Sequence, residues 1–135
     1  MTRHEAREQA FVLVFENIFN PEMTVGEIID AAGESADIVT PNEFSVSLAE
    51  TVFENKARAD EIIEAYARGW KVTRLAKVSL AILRLAICEL MTSADTPQSV
   101  IINEAVELAK TYATEKEASY INGILGAYVR AGKEE

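Results

Sequence analysis

The chain has 135 residues, enough for one ordinary domain with a substantial core, and 49% of them are hydrophobic, which excludes a disordered tail. Its formal net charge of −9 excludes polyanion binding driven by overall charge alone, while the same acidity suits a basic protein partner. With one cysteine and one histidine, the chain has no internal disulfide, and no metal spacing built from paired Cys or His occurs.

Helix starts are well marked. Thr2 with Glu5, Thr24 with Glu27, Thr40 with Glu43 and Thr114 with Glu117 each fit a capping box. In that pattern the hydroxyl accepts from a first-turn amide and the carboxylate reaches back to the cap. Thr40-Pro41 and Thr96-Pro97 add proline at the first helical position, where its missing N–H is not needed. Ala6, Ala10, Val14 and Ile18 form one stripe of the first helix, and Phe11, Phe15 and Phe19 form a neighbouring one. A short second helix spans about Val25 to Ala32 and ends near Gly33. The third starts at Pro41, carries Phe44, Leu48, Val52 and Phe53, bends near Ala57, and closes at Gly69 after Ile62, Ile63 and Tyr66.

The stretch from about Arg74 to Met91 is apolar on nearly every side, with Leu75, Val78, Leu80, Ile82, Leu83, Leu85, Ile87 and Leu90. In a water-borne protein such a helix is the central one. Amphipathic helices from Pro97 to Thr114 and from Glu115 to Ala131 pack around it. No period-two alternation with hairpin turns occurs. The expected fold is therefore all-α: a single domain of about six to seven helices in two subdomains, about 1–69 and 70–135.

Cys88 lies in the apolar run and reads as a small buried hydrophobe, and His4 has no evident partner for a relay or a metal. Arg84 needs a carboxylate or helix-end carbonyls, because an unpaired guanidinium among Ile82, Leu83 and Leu85 is costly; Glu104 and Glu107 are candidates. Gly123 and Gly126 within a helix each cost about 1 kcal/mol relative to alanine, for which close helix–helix approach is the ordinary reason. From Ala65 to Cys88 there is no acidic residue, while Arg68, Lys71, Arg74 and Lys77 recur at every third position. These groups either solubilise the approach to the central helix or form a local patch for an anionic ligand. No acid–base pair in a cleft, Gly-rich phosphate loop or Ser/His/Asp arrangement is visible, so no enzyme, cofactor or metal is expected. The apolar stretch from Phe11 to Phe15 is too short for a signal core, and Lys77, Arg84 and Glu89 interrupt the longest apolar region; the expected compartment is the cytoplasm.

The second half carries Ile82-Leu83-Arg84-Leu85-Ala86-Ile87-Cys88-Glu89-Leu90, then Thr96-Pro97, then Ile102-Asn103-Glu104-Ala105-Val106-Glu107-Leu108-Ala109-Lys110, then Tyr120-Ile121-Asn122-Gly123-Ile124-Leu125. These blocks, with Arg7-Glu8, Ala10 and Trp70, resemble the NusB family of transcription antitermination factors. The resemblance implies an all-helical NusB-like domain that pairs with the ribosomal protein NusE. It further implies that the pair binds boxA-type single-stranded RNA of ribosomal RNA leaders, joins the RNA polymerase antitermination complex, and aids rRNA maturation. By position, the implied RNA contacts are Arg3, Arg7 and Phe15, then Glu115, Lys116 and Tyr120, and the implied partner-facing positions are Lys77 and Ser79. Phe15 is either an aromatic face for a base or a core residue of the first helix. Arg84, Glu104, Asn122 and Gly123 read as structural. Three departures stand out: the family's run of arginines is here Thr2-Arg3-His4-Glu5-Ala6-Arg7, Lys116 stands where an acidic residue is familiar, and Ser79 stands where a carboxylate facing NusE is expected. The alternative is a protein-interaction module of the same fold, or a homodimer, with weak or lost RNA binding.

Overall fold

Thr2 opens α1 (Arg3–Phe19) with a complete capping box, its hydroxyl accepting from Glu5 N and the Glu5 carboxylate returning to Thr2 N. Thr24 opens α2 (Val25–Ala32) in the same way with Glu27. The computed structural model describes residues 1–32 and 42–133. The expected ends at Gly33, Thr40 and Pro41 lie outside the described residues. Asn42 caps α3 (Glu43–Tyr66): its Oδ1 accepts from Ser45 N at 2.8 Å, and Ser45 Oγ accepts from Asn42 N at 3.1 Å. A 3-10 turn (Val72–Arg74) then leads to α4 (Lys77–Thr92), α5 (Gln98–Tyr112) and α6 (Glu115–Lys133). No strand occurs among the described residues, and none of the described helices is long and apolar enough to cross a membrane.

The bend in α3 falls at Asn55 (φ −118°, ψ 17°), two residues before the expected Ala57. There the Asn55 side-chain amide donates to Thr51 O at 2.7 Å. Immediately after it, Lys56 Nζ reaches the Asn17 side chain at 2.9 Å, which fastens α3 to the α1–α2 corner. Desolvation there, with Arg84 nearby, lowers the Lys56 pKa. The third helix ends in a turn with positive φ at both Arg68 (52°) and Gly69 (90°). At Gly69 nothing lies within 4 Å of an added Cβ, so backbone conformation and not space calls for glycine.

Helix α4 is central, as its composition requires: it packs against α1, α3, α5 and α6. Leu83, Ile82 and Ile87 are fully buried, and one apolar cluster runs through the six described helices. Each such side chain contributes about 1.5–3 kcal/mol on burial. Cys88 is part of this core, and burial pushes its thiol pKa up to about 12. Arg84 does find a carboxylate, but it is Asp60 on α3, not Glu104 or Glu107. Its Nε and Nη2 donate to the two Asp60 oxygens at 2.8 and 2.9 Å. The face of α4 that carries Arg84 meets α3 and not α5, which spacing along one helix does not reveal.

Candidate nucleic-acid interface

The two amino-terminal arginines have different surroundings. Arg3 is exposed, its guanidinium 3.9 Å from the centre of the Phe44 ring, and it lines a groove of about 780 Å³ with Asn42, Thr92 and Asp95. Arg7 is only 4% exposed. Its Nε donates to Glu89 Oε1 at 3.0 Å and its Nη2 to Glu89 Oε2 at 2.7 Å, and this carboxylate holds the guanidinium pKa above its ordinary value. The expectation that Arg7 meets RNA is corrected: α1 packs on both α3 and α4, and Arg7 faces the seam.

Beyond Arg7, the same i, i+4 line of α1 continues as an aromatic row. Phe11 and Tyr112 lie 4.9 Å apart between ring centres, Phe11 and Phe15 6.0 Å, and Phe15 and Phe19 5.2 Å. Phe15 is half-buried within this row, packed against the core while part of its ring reaches solvent, whereas Tyr112 and Phe19 are 43% and 56% exposed. The Tyr112 hydroxyl donates to Glu8 at 3.0 Å and so ties the end of α5 to α1. Tyr112 is not among the residues that the family resemblance implies. Its signal is a tyrosine at the end of an amphipathic helix, two residues before the Thr114 cap.

His4 also bridges these helices, which corrects the reading of it as partnerless: its Nδ1 lies 2.5 Å from Glu104 Oε2, and its Nε2 lies 3.9 Å from Glu8. Glu104 is thus the partner of His4 and not of Arg84. The hydrogen bond to Glu104, ahead of its charge and those of Glu8 and Glu107, raises the His4 pKa above 6.5. A raised histidine pKa stabilises the fold fully below 6.5, and that contribution is lost as pH climbs through the higher, folded value. An NMR titration of the single imidazole will therefore have its midpoint above 6.5, and Glu104→Gln will return it towards 6.5. An unchanged midpoint in that variant would remove Glu104 as the cause.

At the start of α6, Glu117 N donates to Thr114 Oγ1 at 3.1 Å, as the capping pattern requires. The Glu117 carboxylate, however, accepts from Ser79 Oγ at 2.7 Å. Ser79 is fully buried by this contact, so it is not a partner-facing surface residue as expected. Lys77, two residues earlier and so on the other side of α4, remains exposed. Glu115 and Lys116 are exposed, and Tyr120 is half-buried. Lys116 and Tyr120 line a groove of about 380 Å³ together with Trp70 and Arg74. Asn122 and Gly123 lie on the exposed side of α6, and a Cβ at Gly123 meets nothing within 4 Å. Close helix approach is therefore not the reason for that glycine. At Gly126 the nearest group is the mobile end of Arg130, 3.1 Å away.

The structure thus joins the aromatic row of α1 to the α5–α6 corner through Tyr112, three residues before Glu115. It withdraws Arg7 and Ser79 from the surface, and it sets Arg3 in a different groove from Lys116. Among the described residues, no group of three or more His, Cys, Asp or Glu side chains is placed to hold a metal ion.

The pattern that defines the NusB family matches residues 4–130. The chain belongs to the NusB family. A transcription antitermination protein NusB from Carboxydothermus hydrogenoformans is 45% identical over 131 residues, covering 93% of this chain and 91% of the relative. The solution structure of NusB from Aquifex aeolicus superposes with a TM-score of 0.82 at 28% identity, covering 98% of this chain and 92% of that one. A crystal structure of antitermination factors NusB and NusE in complex with double-stranded RNA gives a TM-score of 0.80 at 27% identity, covering 97% and 99% of the two chains.

Proposed function

We propose that this chain is a transcription antitermination factor that binds boxA-type RNA of ribosomal RNA leaders jointly with NusE, and so supports rRNA transcription and maturation. The observation that carries this reading is NusB family membership along nearly the whole chain. The exposed Lys116, the half-buried Tyr120 and the accessible aromatic row of α1 support it. The electrostatics explain why a partner is needed. A body of net charge −9 repels an RNA backbone but draws in a basic ribosomal protein. Once docked, that protein supplies cations beside the aromatic faces on which unstacked bases lie. With Arg7 committed to Glu89, the chain's own phosphate contacts come from Arg3 and Lys116, together with the partner.

In a fluorescence titration, boxA-type RNA is expected to bind the chain alone poorly and the complex with NusE at least about tenfold more tightly at moderate salt. Lys116→Glu will weaken RNA binding by the complex and flatten its salt dependence. Equal affinity with and without NusE would count against joint recognition. An RNA affinity indifferent to charge reversal at both Arg3 and Lys116 would favour the protein-interaction module instead.

A further inference from the structure

Trp70 is 52% exposed, at the end of the turn set by positive φ at Arg68 and Gly69. An indole carries a large apolar surface that is ordinarily mostly buried, and this one stands instead at the wall of a groove. The groove holds about 380 Å³, within the range of ligand sites, and its lining includes Arg74, Leu75, Lys116, Glu117 and Tyr120. Glu117 accepts from the Ser79 hydroxyl and keeps its negative charge, so a ligand here meets the two cations Arg74 and Lys116 beside one carboxylate. The buried Tyr120 hydroxyl has no hydrogen-bond partner among the described residues, a state that costs free energy until a polar group reaches it. An aromatic face, two cations and an unsatisfied hydroxyl are what an unstacked nucleotide needs: a surface to stack on, charge for its phosphates, and a contact for a polar edge.

We infer that Trp70 and Arg74 belong to the RNA site, with one unstacked base of single-stranded RNA lying on the Trp70 indole and its flanking phosphates on Arg74 and Lys116. The inference rests on the reading that the complex with NusE binds RNA. The groove shares Lys116 and Tyr120 with that surface, which favours RNA over an acidic peptide as its occupant.

Trp70 is the only tryptophan of the chain, so its emission reports on this groove. The complex with NusE is titrated with a short single-stranded boxA-type RNA, and the same complex carrying Trp70→Phe supplies the background. RNA is expected to quench the Trp70 signal. Trp70→Ala is expected to weaken RNA binding about tenfold or more, while Trp70→Phe stays within about threefold of the unaltered chain. Arg74→Gln should reduce the slope of log affinity against log salt by about 0.7, the value of one phosphate contact on a single strand. Far-UV circular dichroism checks that each variant is folded. If the unaltered complex binds RNA without quenching, and Trp70→Ala binds equally well, the inference falls while the broader reading stands. If Trp70→Ala loses NusE instead of RNA, the groove is a protein contact and the inference again falls. If the unaltered complex binds no RNA at all, both readings fall together.

Discussion

Glu89→Ala will lower the unfolding free energy by about 3–5 kcal/mol, read from urea or thermal denaturation, because it strands the Arg7 guanidinium inside the fold. Both partners are nearly inaccessible, with side-chain exposures of 5% for Arg7 and 4% for Glu89, so the guanidinium left behind lacks its matched acceptor in a largely desolvated place. Arg7→Ala should be comparably damaging, since it leaves the carboxylate unpaired. The informative variant is the double replacement Arg7→Met with Glu89→Leu, which fills similar space without charge and should recover most of the loss. That variant in complex with NusE should keep its RNA affinity, whereas Arg3→Glu should not. A double variant that folds normally but loses RNA would restore Arg7 to the RNA-binding surface.

This pair also marks where the sequence stopped being informative. Helix starts were legible at Thr2 and Thr24 because capping is local chemistry, decided within four residues. The central helix was legible because only a segment surrounded by other helices has no polar face. Partners across helices were not legible. Arg3 and Arg7 share a face by spacing, yet one lies against Phe44 at the surface and the other is closed in by α3 and α4. For Arg84, its apolar surroundings called for a carboxylate or helix-end carbonyls, but spacing along one helix could not point to Asp60 on α3. The exchange of Glu117 from its own cap to Ser79 depends likewise on how α6 meets α4. The half of the candidate site on α6 followed from the family resemblance alone, and there Glu115 and Lys116 lie exposed. The half on α1 was divided by tertiary packing.

Leu83→Ala will cost about 2–5 kcal/mol, measured as a shift of the urea midpoint at constant slope. Leu83 is fully buried on α4, which touches four other helices, so no single neighbour can move in to fill the space without leaving another gap. Val100→Ala serves as the contrast: Val100 is 39% exposed on α5 and should change stability by no more than about 0.5 kcal/mol. A Leu83→Ala loss below about 1 kcal/mol would mean that the helices around α4 relax readily, contrary to close packing. The same helix holds Ser79 near one end and Glu89 near the other, so slack in its middle would loosen both the α6 groove and the Arg7 seam.

Cys88 gives this architecture an internal timer. Sealed in the middle of the bundle and held protonated, its sulfur cannot meet an alkylating reagent while the helices stay closed. Every labelled molecule therefore records one opening that reached the centre, and fraying at the chain ends leaves no mark.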